Sequence, residues 1–446
     1  MQISEHPTGA ADGAARTADN TPGGPLRGFK VVDFTHFVAG PYATMLLADL
    51  GAEVFKVENP KRGDEFRHYP PYSDKLAGEG SPFLWVNRNK KSVAVDMKTT
   101  HGLRIVQELI RRADIVVENF TGGVMERFGI DYETVSKENP ALIYCSISAY
   151  GRDGDMGERL GFDPIAQAES GFMSLNGYQD REGVRAGSSV IDLSSAMMAS
   201  NAILAAVVER QRSGRGQRVS TSLYETAMNM VGYSTMQTLT DPDWVATRHG
   251  NSSPDTAPTG VYYASNGPMY IACTGTEIFR RLFTLIGRED LATNEELLVK
   301  ANRLGARDLL NDALNAALAT DTRENWLPKL RAARVPAGAL RTIAESIAAP
   351  ETVALKMITE IPHPTAGTIP NVRLPFTLEK SPIAPPVAAP ALGQHTRHVL
   401  RHTLGYNDDQ IDLLERSGAF GDKPLPAEDA SAAARCPYLN PALQQE

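Results

Sequence analysis

Residues 29–34 (FKVVDF) and 51–58 (GAEVFKVE) decide the fold, because each is a short apolar run and a helix-like segment separates them. The break at Gly40 and Pro41 is followed by an apolar run at 42–50, which predicts a helix. A strand, a helix and a second strand at this spacing indicate a parallel sheet of nucleotide-binding topology. The GxGxxG fingerprint of nicotinamide and flavin sites is absent from this stretch. The sequence therefore predicts an α/β fold with a Rossmann-like sheet.

The next segments continue the same pattern. Residues 93–98 (VAVDMK) alternate as a strand, 100–112 form an amphipathic helix, and 113–120 (ADIVVENF) are a buried strand that reaches Asn119. Ligands bind at the carboxyl ends of such strands, so Asn119 is expected at a binding edge. The basic turn at 87–92 (NRNKKS) has two interpretations, a solvated loop or a site for phosphate groups, since lysine and arginine supply charge-assisted donors.

A lone carboxylate, Asp192, stands inside residues 187–196 (GSSVIDLSSA), after a short apolar segment and before a helix predicted for 196–210. One interpretation is a helix N-cap, in which the side chain accepts hydrogen bonds from unpaired backbone N–H groups. The other is a nucleophile, because a positioned and desolvated carboxylate forms covalent acyl intermediates. The local pattern favours the cap and leaves the nucleophile open.

Composition sets the broad class. The chain has 446 residues, 42% hydrophobic, with a net charge of -8, which is ordinary for a globular protein and argues against nucleic acid as the main partner. Three widely spaced cysteines without a CxxC pair indicate a reducing compartment and neither a disulfide framework nor a metal site. No uninterrupted apolar run long enough for a bilayer and no signal-peptide core are found, so a cytoplasmic protein without a membrane partner is expected.

A series of motifs then runs through the chain in a fixed order. They are VDFTH (32–36), AGP (39–41), LGAEV (50–54), KVE (56–58), NRNKKS (87–92), DMK (96–98), VENF (117–120), SGRGQ (213–217), GN (250–251), APTG (257–260), VPAG (335–338) and LGQHT (392–396). In this order and spacing the chain resembles the class III CoA-transferase family from about residue 26 to 414. That family includes formyl-CoA:oxalate, carnitine, citramalate and arylsuccinate CoA-transferases, and also α-methylacyl-CoA racemases.

The resemblance implies a Rossmann-like large domain plus a smaller α+β domain, in an interlocked homodimer whose subunits thread through each other. The large domain is then built from both ends of the chain, and folding is coupled to association. The implied segments are a disordered tail at 1–25, the first part of the large domain at 26–225, the small domain with its linkers at 226–335, a return segment at 336–420 and a second tail at 421–446.

The resemblance also implies a chemistry. In the transferases the nucleophile is an Asp downstream of a Gln-Ala helix, and Gln167 and Asp192 match that pattern. Asp192 is then the catalytic residue, which forms an aspartyl–acyl anhydride and an aspartyl-CoA thioester while CoA moves from an acyl-CoA donor to a carboxylic acid. Coenzyme A is a substrate here, and no permanently bound cofactor is expected. As a carboxylate at a helix N-terminus, Asp192 is expected to stay ionised.

Two alternatives remain beside the transferase. In the racemase branch a His of a Gly-His-Asp motif transfers a proton at the α-carbon, and the matching triplet here is GFD (161–163). Phe162 cannot transfer a proton, which favours the transferase. Asp163 could serve as a replacement base, but a helix-capping carboxylate is the favoured interpretation. The other alternative is a CoA-binding protein without turnover, against which the retained Asp192 argues.

The residues that match the CoA site of the family follow three of the predicted strands. They are His36, Phe37, Val38, Ala39, Val95, Asp96, Lys98, Asn119, Phe120 and Arg127. Two phosphate contacts of the formate/oxalate enzymes are replaced here by Asn59 and Leu160. Lys61, Arg62 or Arg88 are candidates to take their place, with an ordinary surface residue as the alternative for each.

One further loop indicates which acid is the expected substrate. After residues 250–251 the sequence reads SSPDT (252–256) instead of a glycine flap, so oxalate specificity is not expected. Arg248 and His249 are candidates for holding a substrate carboxylate, with ordinary solvation as the alternative. A dicarboxylate with succinyl-CoA as donor is the expectation by analogy with the family.

Overall fold

The computed structural model describes residues 23–72, 76, 79–363 and 366–421. The predicted tails therefore lie outside the described residues, apart from 23–25 and Gly421. The strands are β1 (Lys30–Asp33), β2 (Glu53–Glu58), β3 (Lys90–Ala94), β4 (Ile115–Glu118), β5 (Ile143–Ser148), β6 (Arg218–Ser222), β7 (Thr259–Ala264), β8 (Gly267–Ala272), β9 (Ala337–Ala339), β10 (Ile358–His363) and β11 (Gly367–Val372).

A parallel sheet in the order β3-β2-β1-β4-β5-β6 forms the centre of the fold. Each neighbouring pair of strands is parallel. The order of its first five strands is that of dinucleotide-binding sheets, so the predicted Rossmann-like sheet is confirmed. Valine and isoleucine form the buried centres of β1 and β4, as is typical of strands covered on both faces.

Helices cover both faces of this sheet, and others pack on a smaller sheet or lie elsewhere in the fold. They are α1 (Ala39–Asp49), α2 (Ser81–Val86), α3 (Thr100–Arg111), α4 (Val124–Arg127), α5 (Tyr132–Glu138), α6 (Asp163–Glu169), α7 (Phe172–Leu175), α8 (Val190–Ser213), α9 (Leu223–Met230), α10 (Gly232–Thr240), α11 (Thr276–Leu285), α12 (Glu289–Ala292), α13 (Glu295–Leu298), α14 (Arg307–Leu318), α15 (Arg323–Ala332), α16 (Ile343–Ile347), α17 (Pro350–Ala354), α18 (Thr396–Val399) and α19 (Asp408–Arg416). The described residues also include the 3-10 helices Glu65–His68 and Lys300–Arg303 and a π-helical turn, Leu400–Leu404.

Alternation along β1 divides the core into two layers. Val32 points to a layer that contains α3 together with the C-terminal helices α18 and α19, including the buried side chains of Val399 and Ile411. Val31 points to the opposite layer, which contains α1 and α8. Residues from both ends of the described chain therefore pack in one core. This packing holds β1, and the carboxyl end of β1 with it, in place.

A smaller antiparallel sheet has its own core. Its order is β7-β8-β9, and helices α11, α14 and α15 pack on it around Phe279, Phe283 and Leu314. The hairpin predicted around residues 265–267 is β7–β8, and the hairpin predicted within 357–378 is β10–β11. Strand β9 pairs with β8, so the small sheet extends beyond residue 335.

Helix α8 starts earlier than the sequence pattern predicts. Val190 and Ile191, interpreted as a segment before the helix, form its first turn, and the helix runs to Ser213. It is long and apolar enough to cross a membrane by length and composition alone. Core helices pass the same test, and α8 buries Ile191, Ala199 and Ile203 against α1 and the sheet. The packing explains why this helix is so apolar.

Candidate active site

The candidate site lies at the carboxyl ends of β1 and β4. These strands are neighbours in the sheet. The connection from β1 runs away to β2 on one side and the connection from β4 runs away to β5 on the other, so a crevice opens between the two connections. A cavity of about 280 Å³ occupies this position. The predicted site residues that line it are His36, Phe37, Val38, Ala39, Asn119, Phe120 and Asp192, and further lining residues are Thr121, Ile147, Ser148, Ala149, Gly157, Arg159, Leu160, Gly161, Phe162 and Leu223.

Asp192 is the third residue of α8 and not its N-cap, which is Ser189. The capping role falls to Asp163, whose Oδ2 accepts hydrogen bonds from the backbone N–H groups of Ile191 at 2.7 Å and Asp192 at 3.2 Å. The expectation that Asp163 is a capping carboxylate is therefore confirmed, although it caps α8 and not α6, the helix that it begins. The side chain of Asp192 is left available to the cavity.

Gln167 connects these parts. Its Nε2 donates to Asp163 Oδ1 at 2.5 Å, and its Oε1 accepts from the backbone N–H of Ala186 at 2.8 Å. The side chains of Asp163 and Gln167 are buried. One amide thus fixes both the capping carboxylate and the chain segment that leads into α8, which orients the first turn of the helix.

Electrostatics around Asp192 differ from the sequence expectation. Burial, with a further contribution from the negative charge of Asp163, raises the pKa of Asp192 from 3.8 to about 7. The N-terminus of α8 does not keep the carboxyl fully ionised, because Asp163 takes the hydrogen bonds that would otherwise stabilise its charge. Near neutral pH the group therefore holds a proton in part of the molecules, and the ionised form is a less solvated and stronger nucleophile.

A second group of buried charges, here called the lysine–aspartate cluster, consists of Asp33, Lys56, Asp64 and Lys90. Lys90 Nζ lies 3.0 Å from Asp33 Oδ2, and Lys56 Nζ lies 2.9 Å from Asp64 Oδ2, with all four side chains fully buried. Burial alone would raise the pKa of Asp33 and of Asp64, but the lysines outweigh it and lower both. Burial lowers the pKa of Lys90 to about 8. The aspartates of this cluster are therefore ionised.

Phe37 has a left-handed backbone with φ at 66°, which is rare for a bulky residue and carries strain. Its ring makes edge contacts with Tyr69 and Phe162, at centroid distances of 6.0 and 5.9 Å. Phe162 is 60% exposed, although it is apolar and lines the cavity. The rings of Phe37 and Phe162 form an aromatic wall of the cavity that contains Asp192.

The other predicted CoA residues do not line this cavity. Val95 and Asp96 follow β3, two strands away from β1 in the sheet, and Asp96 Oδ1 accepts from the backbone N–H of Lys98 at 3.0 Å. Lys98 and Arg127 are exposed, with Arg127 at the end of α4. Val95, Asp96 and Lys98 follow β3 and Arg127 follows β4 in the chain, and none of the four is among the residues that line the cavity.

Several candidate cations have other partners in the structure. Arg88 and Lys90 of the basic turn at 87–92 are not exposed for phosphate groups, because Arg88 is buried in an ion pair with Asp49 and Lys90 belongs to the lysine–aspartate cluster. Arg248 donates to the backbone carbonyls of Tyr178, Ser174 and Arg181, so its guanidinium braces a loop. Lys61 and Arg62 are exposed and stay candidates, Arg62 beside Glu65.

The sequence profile of CoA-transferase family III matches residues 26–396. The chain belongs to CoA-transferase family III. It is similar to succinyl-CoA:glutarate CoA-transferase of Mus musculus, with 34% identity over 89% of this chain and 90% of that protein. It is also similar to acetyl-CoA:oxalate CoA-transferase of Acetobacter aceti, with 35% identity over 77% and 87%. A CaiB/BaiF family protein from Brucella suis has a similar structure, with a TM-score of 0.76 and 32% identity over 84% and 98%.

Membership of this family confirms the predicted enzyme class, a CoA-transferase. Family III enzymes of this type use CoA thioesters as substrates, which gives the cavity beside Asp192 a chemical context. Sequence reasoning had identified Gln167 by its motif, but it missed Lys56 and Asp64. Both residues lie in charged stretches of sequence without a recognisable motif. Their position beside the segment that follows β1 results from the pairing of β2 with β1 in the sheet.

Proposed function

We propose that this CoA-transferase moves CoA from an acyl-CoA donor to a carboxylic acid through covalent intermediates on Asp192. The ionised carboxylate attacks the donor thioester, the C–S bond breaks, and an aspartyl–acyl anhydride forms with CoA thiolate released. The thiolate attacks the Asp192 carbonyl and expels the donor acid, which leaves an aspartyl-CoA thioester. The acceptor carboxylate attacks the aspartyl-CoA thioester and displaces the thiolate, which gives a second anhydride. The thiolate then attacks the acyl carbon of the acceptor in that anhydride, which releases the new acyl-CoA and regenerates Asp192.

The observation that carries this proposal is the shared cavity of Asp192, Val38 and Ala39. Each acyl transfer passes through a tetrahedral oxyanion that needs N–H donors. Helix α1 begins at Ala39, and the first N–H groups of a helix have no acceptor within it. Pro41 has no N–H and the Tyr42 N–H donates to the Val38 carbonyl. The N–H groups of Ala39 and Gly40 are therefore the donors that α1 supplies beside the nucleophile. The mostly apolar wall, which includes the buried side chains of Ile147 and Leu223, limits water around intermediates that hydrolyse easily.

The rest of the CoA molecule extends from this cavity along the carboxyl edge of the sheet. The pantetheine passes His36, Phe37 and Phe120, and the adenine nucleotide lies near Val95, Asp96 and Lys98. Arg127, and the exposed pair Lys61 and Arg62, provide charge for the phosphates. This arrangement follows the resemblance to the family and the order of strands β1, β2, β3 and β4.

For the acids, we propose succinyl-CoA as donor and a dicarboxylate as acceptor. The name of the Mus musculus relative specifies succinyl-CoA and glutarate, and its similarity covers most of both chains. The name of the Acetobacter aceti relative specifies oxalate, for which this chain lacks the glycine flap after Asn251. Because Arg248 braces its own loop, the acceptor carboxylate is recognised by another group.

We also propose the homodimer that the family resemblance implies. Large apolar side chains are exposed in one stretch of the chain, on α8, α9 and α10: Met197, Met198, Val208, Met230, Tyr233, Met236 and Leu239. Exposed apolar side chains on helices that contact one another in sequence order are typical of a protein interface. Light scattering during gel filtration would then give twice the mass of the chain, and Met236→Glu together with Leu239→Glu would lower it.

The racemase alternative has less support. It needs an acid and a base at the α-carbon, and Phe162 is neither. Asp163 is not available as a replacement, because its two carboxylate oxygens are bound to Gln167 and to the N-terminus of α8.

The test is a panel of acyl-CoA donors and acids read by mass spectrometry, with hydroxylamine as a trap. We expect CoA transfer with succinyl-CoA and a dicarboxylate, and an Asp192 hydroxamate in the trapped protein. Asp192→Asn should lose turnover by about 1000-fold or more, with acyl-CoA binding retained. Loss of an α-deuterium from a 2-methylacyl-CoA without CoA exchange would overturn the transferase in favour of the racemase.

A further inference from the structure

The segment 35–37, between β1 and α1, is held by side chains and not by a helix or sheet. Thr35 N–H donates to Asp33 Oδ1 at 2.9 Å, and Lys56 Nζ donates to the Thr35 carbonyl at 2.7 Å. Phe37 N–H donates to Asp64 Oδ1 at 3.2 Å. Surface loops normally satisfy most of these groups with water, so the segment is fixed to an unusual degree.

Asn119 holds the middle of this segment from the neighbouring strand. Its Oδ1 accepts from the His36 N–H at 2.9 Å, and its Nδ2 donates to the His36 carbonyl at 2.9 Å. One side-chain amide therefore pairs with both polar groups of a single backbone residue, as a partner strand would. The sequence placed Asn119 among the CoA ligands, but its amide is directed to His36.

Charge under the segment strengthens the same arrangement. Lys56 and Asp64 are fully buried and form an ion pair at 2.9 Å, and the same two side chains bind the backbone of Thr35 and Phe37. Such a pair keeps its geometry because separating the partners would leave a buried charge without compensation. The left-handed Phe37 lies between these contacts, and its conformation persists only when its surroundings impose it.

We propose that Asn119, Lys56 and Asp64 are positioning residues of the transferase. They hold segment 35–37 so that the backbone N–H groups at the start of α1 point at the thioester carbonyl attacked by Asp192. None of the three needs to touch the reacting atoms, since each acts through the backbone of segment 35–37. The proposal rests on the proposed function of Asp192, and it assigns Asn119 a role other than direct CoA binding.

The consequence is a defect in the chemical step. A displacement of about 1 Å at a catalytic group costs about 100-fold in rate, even when the substrate still binds. Loss of the Asn119 clamp removes both His36 bonds and leaves the other residues of the cavity wall unchanged. Transition-state stabilisation should therefore fall more than binding of the acyl-CoA, so kcat should change and KM should not.

The experiment compares Asn119→Ala and Asp64→Asn with two matched controls. Asn139→Ala removes a side-chain bond of 3.0 Å to the Ala113 carbonyl, remote from the cavity. Asp49→Asn removes the charge from a buried ion pair with Arg88, also remote from it. We expect kcat to fall about 10- to 100-fold in the first two variants, with KM for acyl-CoA within about threefold of wild type. Both controls should keep kcat, even where their melting temperatures fall.

Hydrogen exchange on the peptide covering 35–42 gives a readout that does not need turnover. Exchange should be at least several-fold faster in Asn119→Ala than in wild type and unchanged in Asn139→Ala. Unchanged exchange, or an unchanged kcat in Asn119→Ala, would overturn the positioning role. A raised KM with normal kcat would instead make Asn119 a direct CoA ligand. A wild-type enzyme that transfers no CoA would overturn the proposed function, while the exchange experiment still decides the role of Asn119.

Discussion

Two groups of buried carboxylates lie at the same end of the sheet and have opposite electrostatics. In the lysine–aspartate cluster, Lys90 and Lys56 pair with Asp33 and Asp64 and lower the pKa of both aspartates. In the second group, Asp163 is bound by backbone N–H groups and the Gln167 amide, and its charge helps burial to raise the pKa of Asp192 to about 7. Asp33 and Asp64 are more deeply buried than Asp192, yet their pKa values are lowered, so the partners decide the direction.

The difference separates a structural use of buried charge from a chemical one. Each aspartate beside a lysine is held in one protonation state and in one place, which suits the support of a backbone segment. A carboxylate whose negative neighbour raises its pKa changes protonation near neutral pH and gains nucleophilicity from poor solvation. The same residue type therefore builds the site in one position and reacts in the other. Removing a cation from the first group and a carboxylate from the second should have opposite effects on stability.

Lys56→Met should have the largest effect. The change leaves Asp64 buried without its cation, and breaking a buried pair in this way costs about 3–5 kcal/mol in the free energy of unfolding. Lys91→Met is the matched control, because Lys91 pairs with Glu53 at 2.6 Å and both side chains are partly exposed. That control should lose less than about 1 kcal/mol. Urea unfolding at one protein concentration measures both, and equal losses would contradict the comparison.

Asp192→Asn should stabilise the protein above pH 7. The pKa of Asp192 is raised from 3.8 to about 7 in the native state, so between these values the native state binds a proton that the unfolded chain releases. Stability from this group therefore falls as the pH rises from about 4 to about 7. Asparagine does not ionise, so the variant should gain about 1–3 kcal/mol at pH 8 and little near pH 4. A gain that does not depend on pH would contradict the raised pKa.

The sequence was sufficient for the sheet and for much of the cavity wall. The apolar runs at 29–34, 51–58 and 113–120 become neighbouring strands, and the residues after two of them meet at one crevice. These features are predictable because the period of the apolar residues and the order of parallel strands carry over directly to the fold. Family motifs added Gln167 and Asp192, which no local pattern would have distinguished from a capped helix.

Other features depend on contacts between distant residues. Val190 and Ile191 suit a strand as well as a helix, and periodicity does not distinguish such short apolar runs. In the sequence, Lys90 belongs to a basic turn of a kind that is usually exposed to solvent. Its burial follows from the position of β3 in the sheet. Asp163 caps α8, which begins far from Asp163 in the sequence, so the motif around Asp163 does not reveal that its partner is the N-terminus of α8. In each case the missing information is which elements pack together.

Asp163→Asn tests the second group most directly, and its expected effect on activity is a shift of the pH profile. Without the negative charge of Asp163 the pKa of Asp192 should fall, by about one unit, since a like charge near a carboxyl raises its pKa. The rise of kcat/KM with pH, expected at a midpoint near 7 in the wild type, should then move to lower pH. Asp131→Asn is the control, because Asp131 caps α5 in the same way but lies away from the cavity. An unchanged midpoint in Asp163→Asn, with normal folding, would mean that burial alone sets the pKa of the nucleophile.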